Sequence, residues 1–117
     1  MSRSQGATAL KLAEAVPVFA ALGDPTRLGL LRRLSADGPL SITRLSSGTG
    51  VTRQAITRHL YTLGEAGLVQ HARRGRERVW ELDRKRLDKA RQCLDMISAQ
   101  WDAAADRLKA FAEGSVG

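Results

Sequence analysis

From Leu87 onward the apolar residues recur in sevens. Leu87, Leu94, Trp101 and Leu108 occupy one heptad position, and Ala90, Ile97, Ala104 and Phe111 occupy the complementary one. An a/d pattern held over four heptads predicts one long helix, opened by an Asp83 cap and running over 84–112. About 29 residues at ~1.5 Å rise make a rod of roughly 43 Å. The rest of a 117-residue chain cannot cover an apolar seam of that length, so the seam is expected to meet a second copy. The helix carrying Leu10, Leu12, Val16 and Phe19 is expected to join that interface. Candidate dimer residues are therefore Leu10, Val16, Phe19, Leu87, Leu94, Ile97, Trp101, Leu108 and Phe111. The closing Glu-Gly-Ser-Val-Gly, 113–117, is expected to fray.

One domain's worth of chain leaves few options for the remainder. Hydrophobic residues make up 43% and charged residues 26%, enough to bury a core and inconsistent with disorder throughout. No apolar run approaches the ~18 residues of a membrane span. The opening MSRSQGATAL has no apolar core of a secretory signal. A single cysteine, Cys93, cannot form an internal disulfide, which fits a reducing cytoplasm. No internal repeat is visible, and residues 1–117 read as a single domain.

Helical punctuation fills the first half. Residues 8–22 are apolar and Ala-rich with Pro17 inside, which predicts a short helix to about Ala15 and a restart near Pro17. Asp24-Pro25 reads as an N-cap followed by proline at the first helical position, with Leu28, Leu31 and Leu34 on the apolar face. Arg27, Arg32 and Arg33 fall mostly on the other side, and Gly38-Pro39 stops the helix. Ser41 can cap a short helix to about Ser47 that buries Ile42 and Leu45. After Gly48-Thr49-Gly50, Thr52 can cap the next helix, in which Ile56, Leu60 and Leu63 share one face. Two helices joined by a short Gly-containing turn form a helix-turn-helix pattern over 41–65. Polar residues are left on the outward face of its second helix, where a base-reading helix would carry them.

The period then changes from 3.6 to 2. Residues 68–73 and 77–82 read as strands around Arg74-Gly75-Arg76, a hairpin over 68–82 that must pack on the helices to persist. Alternation places Arg78, Trp80 and Leu82 on one side and Glu77, Val79 and Glu81 on the other. Trp80 is expected in the core. The result is mainly α with a small β-hairpin: a winged helix-turn-helix, dimeric through helices 8–22 and 84–112.

Charge points to a polyanion. Nineteen Lys+Arg against twelve Asp+Glu give +7, and eleven of the nineteen lie in residues 53–91. Fifteen of the nineteen are Arg, suited to forked contacts with phosphate and guanine. Candidate DNA-binding residues are Thr52, Arg53, Gln54, Thr57, Arg58, His59 and Tyr61 on the second helix, with Arg73, Arg74, Arg76 and Arg78 on the wing. Arg reads guanine N7/O6, Gln reads adenine N6/N7 and a Thr methyl touches thymine, whereas wing arginines supply affinity and salt dependence. His59 borders the apolar face, so a structural role competes with a phosphate contact. Tyr61 is divided in the same way between phosphate and packing.

The strings AALGDPTRLGLLRRL, TRQAITRHLYTLGEAGLV and GRERVWEL resemble the ArsR/SmtB family of bacterial winged-helix repressors over residues 16–110. The resemblance implies a symmetric homodimer that inserts its recognition helices into operator DNA and represses by occupying the promoter. A metal site of that family uses C-x-C on the first helix of the helix-turn-helix, and the matching positions here are Ser41, Ile42 and Thr43. Hydroxyls are poor ligands for soft metals. A second family site draws Asp and His from the last helix, and residues 84–112 hold no histidine. His59, His71 and Cys93 are too few and too scattered for a tetrahedral site. No metal and no cofactor are expected.

An enzyme is not expected either, since the chain lacks a phosphate loop, a Ser/His/Asp cluster and an inward carboxylate pair. The competing reading is a winged helix that binds RNA or protein without operator specificity. Its discriminating feature would be exposed apolar residues at the wing tip, and this tip is all charge. The expected partners are double-stranded DNA, a second copy and an unidentified small-molecule effector, with no membrane. The releasing signal, the operator and the regulated genes are not written in the sequence.

Overall fold

The computed structural model describes the backbone of residues 2–116 and the side chains of residues 12–114. In chain order the elements are α1 (Ser2–Leu22), α2 (Pro25–Asp37), β1 (Leu40–Ser41), α3 (Ile42–Ser46), α4 (Arg53–Glu65), β2 (Val69–Arg74), β3 (Glu77–Leu82) and α5 (Arg84–Val116). The side chain of Leu10, a candidate interface residue, lies outside the described residues.

Pro17 does not divide the first helix. α1 runs unbroken from Ser2 to Leu22 with Pro17 inside it, although an internal proline removes one backbone hydrogen bond. Pro17 faces solvent, while Ala15 and Val18 on either side are buried to 1% exposure. Packing on both sides of the proline outweighs the local cost. α1 packs against α5, and an ion pair between Glu14 and Lys89 ties the two. That lysine is also the main reason the Glu14 carboxyl is held below its usual range.

Each capping expectation for the head is met. Asp24 Oδ2 accepts from the Arg27 backbone N–H at 3.0 Å, Pro25 opens α2, and Gly38 closes it in the left-handed region at φ 78°. The buried face of α2 is Leu30, Leu31 and Leu34, so the expectation for Leu28 fails. Leu28 is 53% exposed and edges an apolar groove with Leu22, Leu82 and Leu87. Two arginines of α2 serve the fold. Arg27 Nε donates to the Ala21 carbonyl at 2.7 Å, and Arg33 Nη1 donates to the Arg44 and Leu45 carbonyls at 3.0 and 3.1 Å. Each cation thereby satisfies acceptors at the C-terminal end of a neighbouring helix, where the helix dipole favours positive charge.

The wing is three-stranded, in the antiparallel order β1-β3-β2. Leu40 pairs with Trp80 and Ser41 with Val79, so β3 is a central strand. A two-residue strand has no periodicity to detect, which is why the sequence predicts only the two strands of the hairpin. Centrality also ends the expected alternation, because Val79 and Trp80 are both buried, at 8% and 1%. Arg74 pairs with Glu77, leaving Gly75-Arg76 as a two-residue turn. Gly75 takes φ 64°, the left-handed angle that a II′ hairpin turn requires at its first position.

One core joins the layers: Leu45, Ile56, Leu60, Leu63 and Leu68 have no exposed surface and meet Trp80 and Ala90. Gly67, with φ 77°, lies so close to α5 that a Cβ there would meet Arg86 Cγ at 2.7 Å. α5 continues to Val116, past the expected end at 112 and through the expected frayed tail.

Candidate nucleic-acid interface

The turn before α4 is built by glycine angles and one threonine. Gly48 and Gly50 take φ 73° and 71°. Between them Thr49 Oγ1 donates to the Ser46 carbonyl at 2.8 Å and accepts from the Val51 N–H at 3.1 Å. Thr52 then caps α4, its Oγ1 accepting from the Ala55 N–H at 3.1 Å. The start of the helix is thus fixed by hydrogen bonds, and Ile56, Leu60 and Leu63 anchor one face in the core.

The opposite face is open. Arg53, Gln54 and Arg58 are exposed, and their side chains form no hydrogen bond or ion pair among the described residues. Thr57 is half-buried and its hydroxyl donates to the Arg53 carbonyl at 2.8 Å. Tyr61 is 48% exposed and stands edge-on to Trp80 with ring centroids 5.6 Å apart. That contact joins α4 to the wing, and neither residue carries a sequence signal for it.

His59 is turned the other way. Its Nδ1 lies 3.4 Å from Arg27 Nη1 and 3.9 Å from Asp24 Oδ2, both at the start of α2. The Arg27 backbone N–H, chiefly, holds the Asp24 carboxyl below its ordinary range, with smaller contributions from the Arg27 and His59 charges.

On the wing, Arg73, Arg74, Arg76 and Arg78 are all exposed. Arg73 and Arg78 are direct cross-strand partners, a like-charge pairing that costs stability unless an anion relieves it. Among the described residues no carboxylate lies within ion-pair distance of any of the four. His71 lies against the same tryptophan as Tyr61, at 5.0 Å.

Of the candidate interface residues, Phe19 and Leu87 pack against their own core. Val16, Leu94, Ile97, Trp101, Leu108 and Phe111 stand in solvent in the single chain, between 52% and 76% exposed. The heptad stripe therefore divides: Ala90 is covered within the chain, together with its neighbour Cys93, and everything large beyond them is not.

Ser41 is occupied as a helix cap, its Oγ accepting from the Arg44 N–H at 3.3 Å, so that position serves the backbone. Among the described residues no group of His, Cys, Asp or Glu could hold a metal ion, and no helix is long and apolar enough to cross a membrane.

The helix-turn-helix domain family matches residues 22–72, the segment from the end of α1 into β2. The HTH-type transcriptional regulator YuzN of Bacillus subtilis is 41% identical over 68 residues, which are 53% of this chain and 74% of that protein. The structure of an ArsR-like transcriptional regulator from Rhodococcus sp. RHA1 superimposes with a TM-score of 0.73 at 37% identity, over 86% of this chain and 94% of that one. The chain belongs to the ArsR family. It is thus a transcriptional regulator with a helix-turn-helix DNA-binding domain, in a family that is not enzymatic. The winged helix-turn-helix also recurs in the homodimeric DNA-binding domain (fragment 1–100) of Mb0332 from Mycobacterium bovis, a possible ArsR-family regulator, with a TM-score of 0.57 at 24% identity, over 84% of this chain and 83% of that one; that likeness shows the fold.

Proposed function

We propose that this ArsR-family protein is a homodimeric, sequence-specific repressor whose whole chain forms one DNA-binding unit in the cytoplasm. α4 enters the major groove, where Arg53, Gln54 and Arg58 reach base edges and phosphates, and the wing arginines follow the backbone or the adjacent minor groove. The observation that carries the reading is the pair of unpaired cationic surfaces joined by the Tyr61–Trp80 contact. Together they offer forked donors to bases on one element and bare charge to phosphates on the other.

The dimer rests on the exposed stripe of α5. A row of aromatic and aliphatic residues more than half exposed is an unfinished interface, and a second copy completes it with a two-fold axis. The winged helix of Mb0332, which shares the fold, is itself homodimeric, which is in keeping with a dimer here. Two recognition helices about 34–36 Å apart then address successive turns of a pseudo-palindromic operator.

Fluorescence anisotropy tests the reading, with the duplex upstream of the protein's own gene and a scrambled duplex, at two salt concentrations. The expected result is a dissociation constant of ~10⁻⁸–10⁻¹¹ M for the native duplex, with preference surviving the higher salt. Equal, salt-sensitive binding to both duplexes would refute operator recognition at that site.

A further inference from the structure

Arg27 holds three elements at once. Its backbone N–H bonds the Asp24 carboxylate at 3.0 Å, its Nε bonds the last turn of α1 at Ala21 O, 2.7 Å away, and its Nη1 meets His59 Nδ1 on the recognition helix at 3.4 Å. A guanidinium can only donate, so the contact with His59 requires a lone pair on Nδ1. The neutral imidazole then carries its proton on Nε2. Protonation at Nδ1 turns that acceptor into a donor. The resulting imidazolium faces the Arg27 cation, with the Asp24 carboxylate at ion-pair distance, Oδ2 3.9 Å from Nδ1, so that a small shift of the ring lets Nδ1 donate to it. The two bonding patterns exclude each other, because Nδ1 cannot accept from Arg27 and donate to Asp24 at once.

We propose that His59 is a proton-sensitive positioning residue: neutral, it locks the recognition helix to the α1–α2 junction through Arg27, and protonated, it releases that lock and lowers sequence discrimination. The proposal deepens the operator-binding reading and rests on it. The charged groups facing the ring both come from the start of α2, Asp24 and Arg27. Between α1 and α4 lies a groove lined by Pro17, Ala20 and Ala21 on one side and Thr62, Glu65 and Ala66 on the other, Glu65 being its titratable residue; α3 contributes the apolar Leu45, and β2 approaches α4 at Val69. Apart from Asp24 and Arg27, no cation or carboxylate among the described residues lies within hydrogen-bond or ion-pair distance of the ring. Apolar anchoring by Ile56, Leu60 and Leu63 persists in both states, so the head stays folded while the angle of α4 loses a directional tether. Added positive charge strengthens binding to any duplex alike. The quantity that falls is therefore the ratio of native to scrambled affinity rather than affinity itself.

The experiment measures that ratio by anisotropy with the full-length protein, using the duplex upstream of its own gene and a scrambled duplex, from about pH 8 to about pH 5.5, the range in which imidazoles charge. Thermal melts at each pH report the folded fraction. The wild-type ratio is expected to fall roughly tenfold on acidification, a charged-donor hydrogen bond's worth. His59→Asn keeps an acceptor oxygen near the Nδ1 position and cannot titrate, so its ratio holds steady across the range. His59→Leu and Arg27→Met each lower the ratio at pH 8, and the double variant is no worse than either single one. A wild-type ratio that ignores pH, or an Asn variant that follows the wild-type profile, overturns the proposal. No preference for the native duplex at any pH refutes the operator reading instead, which keeps the two failures distinct.

Discussion

Trp101 is the largest side chain on the open stripe of α5, 73% exposed in the single chain. A tryptophan offers ~150–250 Å² to an interface, so about 150 Å² is free on each copy and about 300 Å² on a symmetric pair. At ~25 cal/mol per Å² the gross gain on burial is about 7 kcal/mol. Incomplete burial, the ordering of the side chain and the apolar area that alanine retains consume part of it, which leaves roughly half as the net effect. Trp101→Ala should then weaken the dimer several-hundred-fold at ~1.4 kcal/mol per decade. Trp101→Asp should go further, because it brings two carboxylates into an apolar seam. Sedimentation velocity on the order of 10 μM reads the result directly, and circular dichroism confirms that α5 is still helical. Gln100→Asp, one position off the stripe, serves as the control and should remain dimeric. A Trp101→Asp variant that stays helical and sediments as an intact dimer would remove Trp101 from the interface.

Arg74→Ala with Arg76→Ala removes four cations per dimer, and log K against log salt should flatten by about 3–4 for native and scrambled duplexes alike; an unchanged slope in titrations at several salt concentrations would refute the wing assignment. Arg53→Ala and Arg58→Ala should each cost about 1–3 kcal/mol on the native duplex and, where the arginine reads a base, relax preference at that base pair, as a panel of single-substitution duplexes would show. Asp24→Ala should lower the melting temperature by a few degrees through loss of a helix cap, while Asp24→Asn keeps an acceptor there. The folded Asp24 carboxyl titrates below its ordinary range, so its contribution is complete above the unfolded carboxylate range and is lost as pH falls through the folded value. Both variants should therefore flatten the acid limb of melting temperature against pH, and an acid limb as steep as wild type would show that Asp24 does not set it.

Elements with a local chemical signal were legible in advance. Asp24, Ser41 and Thr52 each announced a helix start, because a capping side chain must precede the N–H groups it satisfies. Gly75 announced the wing turn through an angle that other residues avoid. What escaped the sequence depends on contacts far away in the chain. β1 is two residues long and exists because Leu40 and Ser41 find Trp80 and Val79 much later in the chain. Pro17 stays inside α1 because the residues beside it, Ala15 and Val18, are buried by tertiary packing. Leu28 and Leu30 are equally apolar, and only the placement of α2 on the core decides which of them is buried.

The arginines show the same limit at the functional site. Arg27 and Arg53 are indistinguishable by residue type, yet one is bonded to a helix end and the side chain of the other is exposed, with no bonded partner among the described residues. Two internal arginines on α2 also say how the head is oriented. Burial of Ile56, Leu60 and Leu63 stabilises α4 without fixing its angle, since the hydrophobic effect has no direction. Direction comes from the bonded contacts: Arg27 to Ala21 and His59, Arg33 to the end of α3, and the edge of Tyr61 on Trp80. Base reading needs a helix set to within a fraction of a hydrogen-bond length, whereas phosphate binding tolerates looser placement. Loss of one of these tethers should therefore reduce discrimination between duplexes before it reduces stability or overall affinity. The reverse order, with melting temperature falling first, is what loss of a core leucine should produce.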